Sequence, residues 1–293
     1  EYLLEALNFY KVTSRYQHPD YARCLNDLGV FYSEIGDYDK VEKYYIEALE
    51  IRKNNLGDKH IDYINSLSNL GAHYFQIGNY QEAEKYMTEV MCLYKSIFGD
   101  KHPDYAHSLN TLGVLYSAIG NYVLSEQYYL EALKIYRLTL GQSHPDYADA
   151  LGNIGTLYSN IGNYTKAEKY YLEALEIRKN SLGTDHINYS RSLNDLGVLY
   201  SEIGDYTKAE RCHFEALNIR KKTLGDKHVE YANSLNNLGA YYFDIGNYQE
   251  AEKYKLEAIR IRKSILGDKH PDYAHSLNSL GVLYSAIGNY VLS

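Results

Sequence analysis

His102-Pro103-Asp104-Tyr105-Ala106-His107-Ser108-Leu109-Asn110-Thr111-Leu112-Gly113 returns 168 residues later, and 102–125 and 270–293 differ only at Thr111 against Ser279. Working outward from it, a shorter period appears. His recurs at 18, 60, 102, 144, 186, 228 and 270, always 42 residues apart, and Gly29 and Gly36 each recur in every one of the seven frames. Self-similarity at such a spacing is the mark of a repeat architecture in which each repeat is one supersecondary element. The period also explains the composition. Tyr21, Tyr32 and Tyr38 recur in all seven repeats, so the 35 tyrosines in a chain without Trp come from the frame rather than from low complexity. Because blocks of four repeats were copied, likeness between them partly reflects ancestry.

Within a repeat, Leu25, Leu28, Tyr32 and Ile35 fall at i, i+3, i+7 and i+10, one face of a helix. This helix A opens at His18-Pro19-Asp20, with Pro in the first turn and an acid near the positive helix end. Gly36 supplies a left-handed stop, and Asp37, or Asn79 in the next repeat, caps a second helix at once. The pattern predicts helix B over 38–56, with apolar Val41, Tyr45, Ala48, Leu49, Ile51 and Leu56, acids in its first half, Arg52 and Lys53 in its last turn, and Gly57 beyond. Each repeat is therefore read as a helical hairpin.

These residues resemble the tetratricopeptide repeat: Leu28, Gly29, Tyr32 and Gly36 on helix A, then Tyr38, Ala48 and the small residues Ala83, Ala167, Ala209 and Ala251 on helix B. The 42-residue repeat and the run at 102–113 are similar to arrays of the kinesin light chain type. The resemblance covers the whole chain. It implies an all-α, right-handed superhelical solenoid of stacked antiparallel helix pairs, a single array over 1–293. Its implied role is a non-catalytic scaffold that binds a peptide or partner domain in a concave groove. Departures are Val41 and Ser125 at the small helix-B position, Val90 in the Ala48 register, and His213 and Lys255 in the Tyr45 register.

Composition narrows the classes. With 45% hydrophobic and 23% charged residues the chain can bury a core, and no uninterrupted apolar run of eighteen residues is present. A net charge of −8 repels a phosphate backbone, which argues against nucleic acid as a partner. Cys24, Cys92 and Cys212 have no CxxC spacing, so the reading is a reducing, cytoplasmic compartment without a disulfide framework or zinc site. Register-equivalent histidines cannot share an ion, since packed helices stand about 8–10 Å apart and zinc ligands lie about 2 Å from the metal. They read as caps before helix A. No HExxH, GxxxxGK[ST], GxGxxG or GxSxG occurs, so neither catalysis nor a cofactor is expected.

The binding surface follows by subtraction. With helix A packed on helix B through the Leu25 stripe, Arg23, Asn26, Val30 and Ser33 point to nearly the opposite side. In the stacked array this stripe forms the concave wall, passing through Asn65, Ser68, Ala72 and Phe75, through His107, Asn110, Val114 and Ser117, and so on. An Asn amide carries a donor and an acceptor, so a ladder of Asn can hold a peptide backbone irrespective of its side chains. The resemblance implies this role for Asn26, Asn110, Asn194, Asn236 and Asn278, with Asn69, Asn153 and Asn237 beside them. The alternative is that these amides bond neighbouring helices to one another. Phe75 and Phe243 are candidate anchors, unless they only pack within the array.

Arg23 and Arg191 face Asp27, Asp149, Asp195, Glu34, Glu202 and Asp244, an acidic balance that favours a neutral to basic peptide over an acidic one. Both sequence ends fall within helix B, which predicts a segment of a longer array with head-to-tail self-association through open ends. Two further roles stay open: a regulatory arm of a larger multidomain enzyme or signalling protein, and a self-assembling structural rod.

Overall fold

The computed structural model describes residues 2–13 and 18–288. The sequence ends used above, residue 1 and residues 291–293, lie outside the described residues. Among the described residues there are 14 helices and no strand. They group into two compact units, residues 1–135 and 136–293.

In the first unit, α1 (Tyr2–Val12) precedes three hairpins: α2 (Pro19–Glu34) with α3 (Tyr38–Leu56), α4 (Ile61–Gln76) with α5 (Tyr80–Phe98), and α6 (Pro103–Ile119) with the start of α7 (Tyr122–Thr139). In the second, the pairs are α8 (Pro145–Asn160) with α9 (Tyr164–Leu182), α10 (Ile187–Glu202) with α11 (Tyr206–Leu224), and α12 (Val229–Asp244) with α13 (Tyr248–Leu266). α14 (Pro271–Ala286) packs on α13. Within the units α3, α5, α9, α11 and α13 each touch the helix A before and the helix A after them, and α10 also touches α8 and α12 directly.

The local signals act as the sequence predicts, with one exception. All seven repeating histidines are N-caps: the Nδ1 of His18, His60, His102, His144, His186, His228 and His270 accepts from the backbone N–H two residues on, at 3.1–3.2 Å. Gly36 ends α2 at φ 76° and Gly57 ends α3 at φ 84°, both left-handed. Asn79, Asn121, Asn163, Asp205 and Asn247 cap the B helices through their side-chain oxygens. Asp37 does not cap α3. Its carboxylate accepts from Lys40 Nζ at 2.6 Å and from no N–H of the helix.

The hairpins close on the leucine face. Leu25, Leu28, Leu70 and Leu112 are at most 1% exposed, each contributing about 2 kcal/mol of burial. The tyrosines add directional links. Tyr21, Tyr63, Tyr105 and Tyr189 donate to Glu47, Glu89, Glu131 and Glu215 on the helix B of their own hairpin. Tyr74, Tyr116, Tyr200 and Tyr284 donate to Glu42, Glu84, Glu168 and Glu252 on the preceding helix B. One row locks a hairpin and the other locks it to its neighbour. Burial and the Glu89 carboxylate together push the Tyr63 hydroxyl up to about 12.

Candidate functional site

Helix A turns its two faces as expected: Val30 and Val198 are 39% and 40% exposed while Leu25 is fully buried. In the first unit the outward rows frame a depression of about 380 Å³. Asn65, Ser68, Asn69 and Ala72 of α4 form one side, and His107 and Thr111 of α6 the other. Met87, Val90 and Tyr94 of α5 make an apolar floor. In the second unit the same rows of α10 and α12 border a cavity of about 220 Å³ over His213.

The asparagines bond one another across neighbouring A helices. Asn69 Nδ2 donates to Asn26 Oδ1 at 2.7 Å, and Asn237 Nδ2 donates to Asn194 Oδ1 in the equivalent place. Helix-to-helix bonding, the alternative reading of these amides, is thus real for two pairs. It does not exhaust them. Each pair leaves the amide NH₂ of Asn26 or Asn194 and the carbonyl oxygen of Asn69 or Asn237, the complement of an extended backbone. Asn110 and Asn153 are engaged as well. Asn236 is half-buried and Asn278 exposed.

Phe75 and Phe243 are half-buried rather than free-standing. Each ring lies 5.8 Å from the tyrosine that opens the following helix B, Tyr80 and Tyr248 respectively, and packs on the adjoining core. Arg23 is exposed and paired with Asp20 at 2.9 Å, inside its own first turn. Arg191 is exposed on α10.

The sequence reading missed a row of arginines. Arg52 was assigned to the macrodipole of α3, yet Arg52, Arg178, Arg220 and Arg262 all turn inward, the last three at 3–6% exposure. Each guanidinium donates to a serine on the next helix A: Ser66, Ser192, Ser234 and Ser276. Arg178 also holds Asp149 at 2.5 Å, and Arg262 holds Asn233 at 2.6 Å, on the helix A of their own hairpin. Burial lowers the proton affinity of Arg52, Arg220 and Arg262.

These arginines change the charge of the A face. Asp149 is already neutralised by Arg178. Burial pushes Asp195 up to about 6, against the pull of Arg178, Arg191 and Arg220. The acids that remain free to act on a ligand are those nearer the edge, Glu202 and Asp244 among them. The register also yields a prediction. Arg178→Ala is expected to cost about 2 kcal/mol, because it strips a buried three-way junction while the Asp149 carboxylate, 42% exposed, can rehydrate. Arg178→Met is expected to recover most of that, since it restores volume without a buried charge. Urea midpoints followed by helical circular dichroism check both, and equal losses would refute the junction.

Among the described residues no three His, Cys, Asp or Glu side chains converge as a metal site. No described helix is long and apolar enough to cross a membrane.

The sequence matches the family profile described as tetratricopeptide repeat over residues 1–54, 31–95, 62–138, 116–179, 146–222, 204–264 and 230–292. The fold is similar to three solved structures, among others. BtubC (BKLC) from P. vanneervenii is 24% identical with a TM-score of 0.58, over 82% of this chain and 93% of that one. A Podosopora anserina putative kinesin light chain with nearly identical TPR-like repeats (Q17M) is 22% identical with a TM-score of 0.56, over 69% and 95%. Aspartyl phosphate phosphatase F from Bacillus subtilis is 16% identical with a TM-score of 0.62, over 85% and 61%. No curated protein matches the sequence closely enough to count as a relative.

Proposed function

The chain is a tetratricopeptide repeat protein, and from this premise we propose that it is a non-catalytic scaffold whose helix-A face binds an extended peptide or a segment of a partner protein. The observation that carries this reading is the depression over α5. Six of the side chains around it, Asn65, Ser68, Asn69, Ala72, His107 and Thr111, belong to the two rows singled out by helical geometry before any cavity was known. A polar rim over an apolar floor suits a backbone held at its edges and a side chain set down in the middle.

In this reading the Asn26–Asn69 pair in the first unit and the Asn194–Asn237 pair in the second offer their remaining donor and acceptor to a peptide backbone, with Asn110 on the face of the first unit and Asn153, Asn236 and Asn278 on that of the second. Arg23 and Phe75 border the face of the first unit, and Arg191 and Phe243 that of the second. With a net charge of −8 and Glu202 and Asp244 on the face, the favoured peptide is neutral to basic. A peptide-array screen with wild type, Asn194→Ala/Asn236→Ala and Phe243→Ala tests the reading. The expected result is at least tenfold weaker binding by the Asn variant with unchanged helicity. Equal binding by all three would sink it, and loss of helicity in Phe243→Ala would assign that ring to packing alone.

A further inference from the structure

The cavity over His213 differs from its surroundings in chemistry. His213 is 3% exposed. One of its ring nitrogens bonds the Gly197 backbone, and the other, Nδ1, is buried without a partner. The hydroxyl of Ser201, on the cavity wall, is buried without a partner too. Buried polar atoms are nearly always hydrogen-bonded, and each exception costs about 1–3 kcal/mol. Both side chains border one space of about 220 Å³, which sets two groups with spare hydrogen-bonding capacity beside it.

The mouth of the cavity fixes the sign of that group. Glu202 on α10 and Asp244 on α12 are exposed carboxylates on its rim. Glu202 accepts one bond, from Ser159 Oγ at 2.8 Å, and keeps further acceptor capacity. Lys255 faces Asp244 from α13, but its ammonium is committed to Ser279 Oγ. Two carboxylates against one committed ammonium leave the mouth negative. The walls, Val198 and Ala240, are apolar and suit the methylene stem of a long side chain.

We infer that this cavity is the specificity pocket of the helix-A face and receives a basic side chain, arginine or lysine, of the bound peptide. The stem lies between Val198 and Ala240. The cationic head donates to Glu202 and Asp244 at the rim, with Ser201 Oγ and His213 Nδ1 as the spare acceptors beneath it. Burial holds His213 down at about 4, so near neutral pH its Nδ1 carries a lone pair and accepts.

The copied block supports the assignment. At the positions 168 residues earlier stand Tyr45, His73 and Gln76 in place of His213, Tyr241 and Asp244. Histidine and tyrosine have traded places across the two helices, and an amide replaces the carboxylate. There Ser33 Oγ is satisfied, donating to Gln76 Oε1 at 3.1 Å. The pocket of the second unit has lost that partner and gained a charge.

The occupant rests on the peptide-binding reading, and the test separates the two. The full chain is titrated with N-acetylarginine amide and with N-acetylglutamate amide, following the Val198 and Ala240 methyl signals by NMR. The expected result is a saturable shift with the arginine probe at a concentration at least tenfold below that for the glutamate probe. Glu202→Gln/Asp244→Gln should weaken it at least tenfold. His213→Tyr, which installs the residue of positions 45, 129 and 171, should abolish it with helicity intact. Equal response to both probes, or an unchanged response in His213→Tyr, overturns the pocket. Array peptides that bind in an Asn-dependent way but tolerate Leu at every basic position also overturn it, and leave the groove reading standing. Arginine-probe binding without Asn-dependent peptide binding upholds the pocket and removes the groove.

Discussion

Gly155→Val is expected to lower the stability of the second unit by about 3 kcal/mol, seen as a fall in the urea midpoint. A Cβ built on Gly155 lies 2.6 Å from Cδ1 and 2.7 Å from Cε1 of Tyr171, far inside contact distance. The ring cannot withdraw. It is 5% exposed, and its hydroxyl is held by Thr156 Oγ1 at 3.0 Å. Helix A can therefore approach helix B only because this position lacks a side chain. The matching test is Gly71→Ala in the first unit, where the Cβ would meet Cγ of Met87 at 3.0 Å. Methionine is unbranched and can swing aside. Alanine is also the better helix former by about 1 kcal/mol, so Gly71→Ala is expected to be near neutral. A harmless Gly155→Val, or a Gly71→Ala as damaging as it, would show that the glycine register is not set by the aromatic ring opposite.

That contrast shows what periodicity makes legible. The 42-residue frame gives helix B over Tyr38–Leu56 with both ends correct, because Asn or Asp, Gly and the apolar stripe all signal at fixed offsets. It gives the inward and outward faces of helix A for the same reason. It does not give the destination of a long side chain. Arg178 and Arg52 stand in the last turn of helix B, where a macrodipole argument suffices to explain a cation, and nothing local says that the guanidinium folds inward to a helix fourteen residues on. A signal was nevertheless present. The register takes either arginine or tyrosine (Tyr94, Tyr136), a pairing that suits a half-apolar side chain with a polar tip, and every arginine in it is followed fourteen residues later by serine. Bonding between neighbouring A helices was one of two readings the asparagines allowed, but which amides pair was not legible, since the bond from Asn69 to Asn26 depends on how those helices are spaced. Asp37 bonds Lys40 and does not cap, whereas Asp205 pairs with Lys208 and caps as well, a difference between equivalent positions that the frame does not decide.

The same buried histidine that shapes the pocket makes the second unit acid-sensitive, and a second group hides the effect. Burial lowers His213 to about 4 from an unfolded value of 6.5, against the opposing bond that the ring donates to the Gly197 carbonyl. Below pH 6.5 the unfolded chain takes up a proton that the folded chain refuses. The stability tied to neutral His213 is thus whole above 6.5 and is lost as the pH falls toward 4, by about 3 kcal/mol. Asp195 runs the other way. Burial raises it to about 6 from 3.8, with Arg178, Arg191 and Arg220 pulling back. Between pH 6 and 4 the folded chain holds a proton there that the unfolded chain releases, so acidification favours folding at that site. The charged groups around His213, namely Glu202, Asp244 and Lys255, are shared by every variant compared and cancel in the differences. Wild type is therefore expected to have a shallow stability profile between pH 7 and 4. Asp195→Asn uncovers the histidine term and should lose roughly 3 kcal/mol over that range, whereas His213→Tyr, which keeps the Asp195 term alone, should gain roughly 2 kcal/mol. Urea midpoints at pH 7, 5.5 and 4 decide the matter: a falling midpoint in Asp195→Asn confirms that His213 is folded into the unit as a neutral ring, whereas a flat Asp195→Asn profile would mean that it titrates as a solvated histidine does.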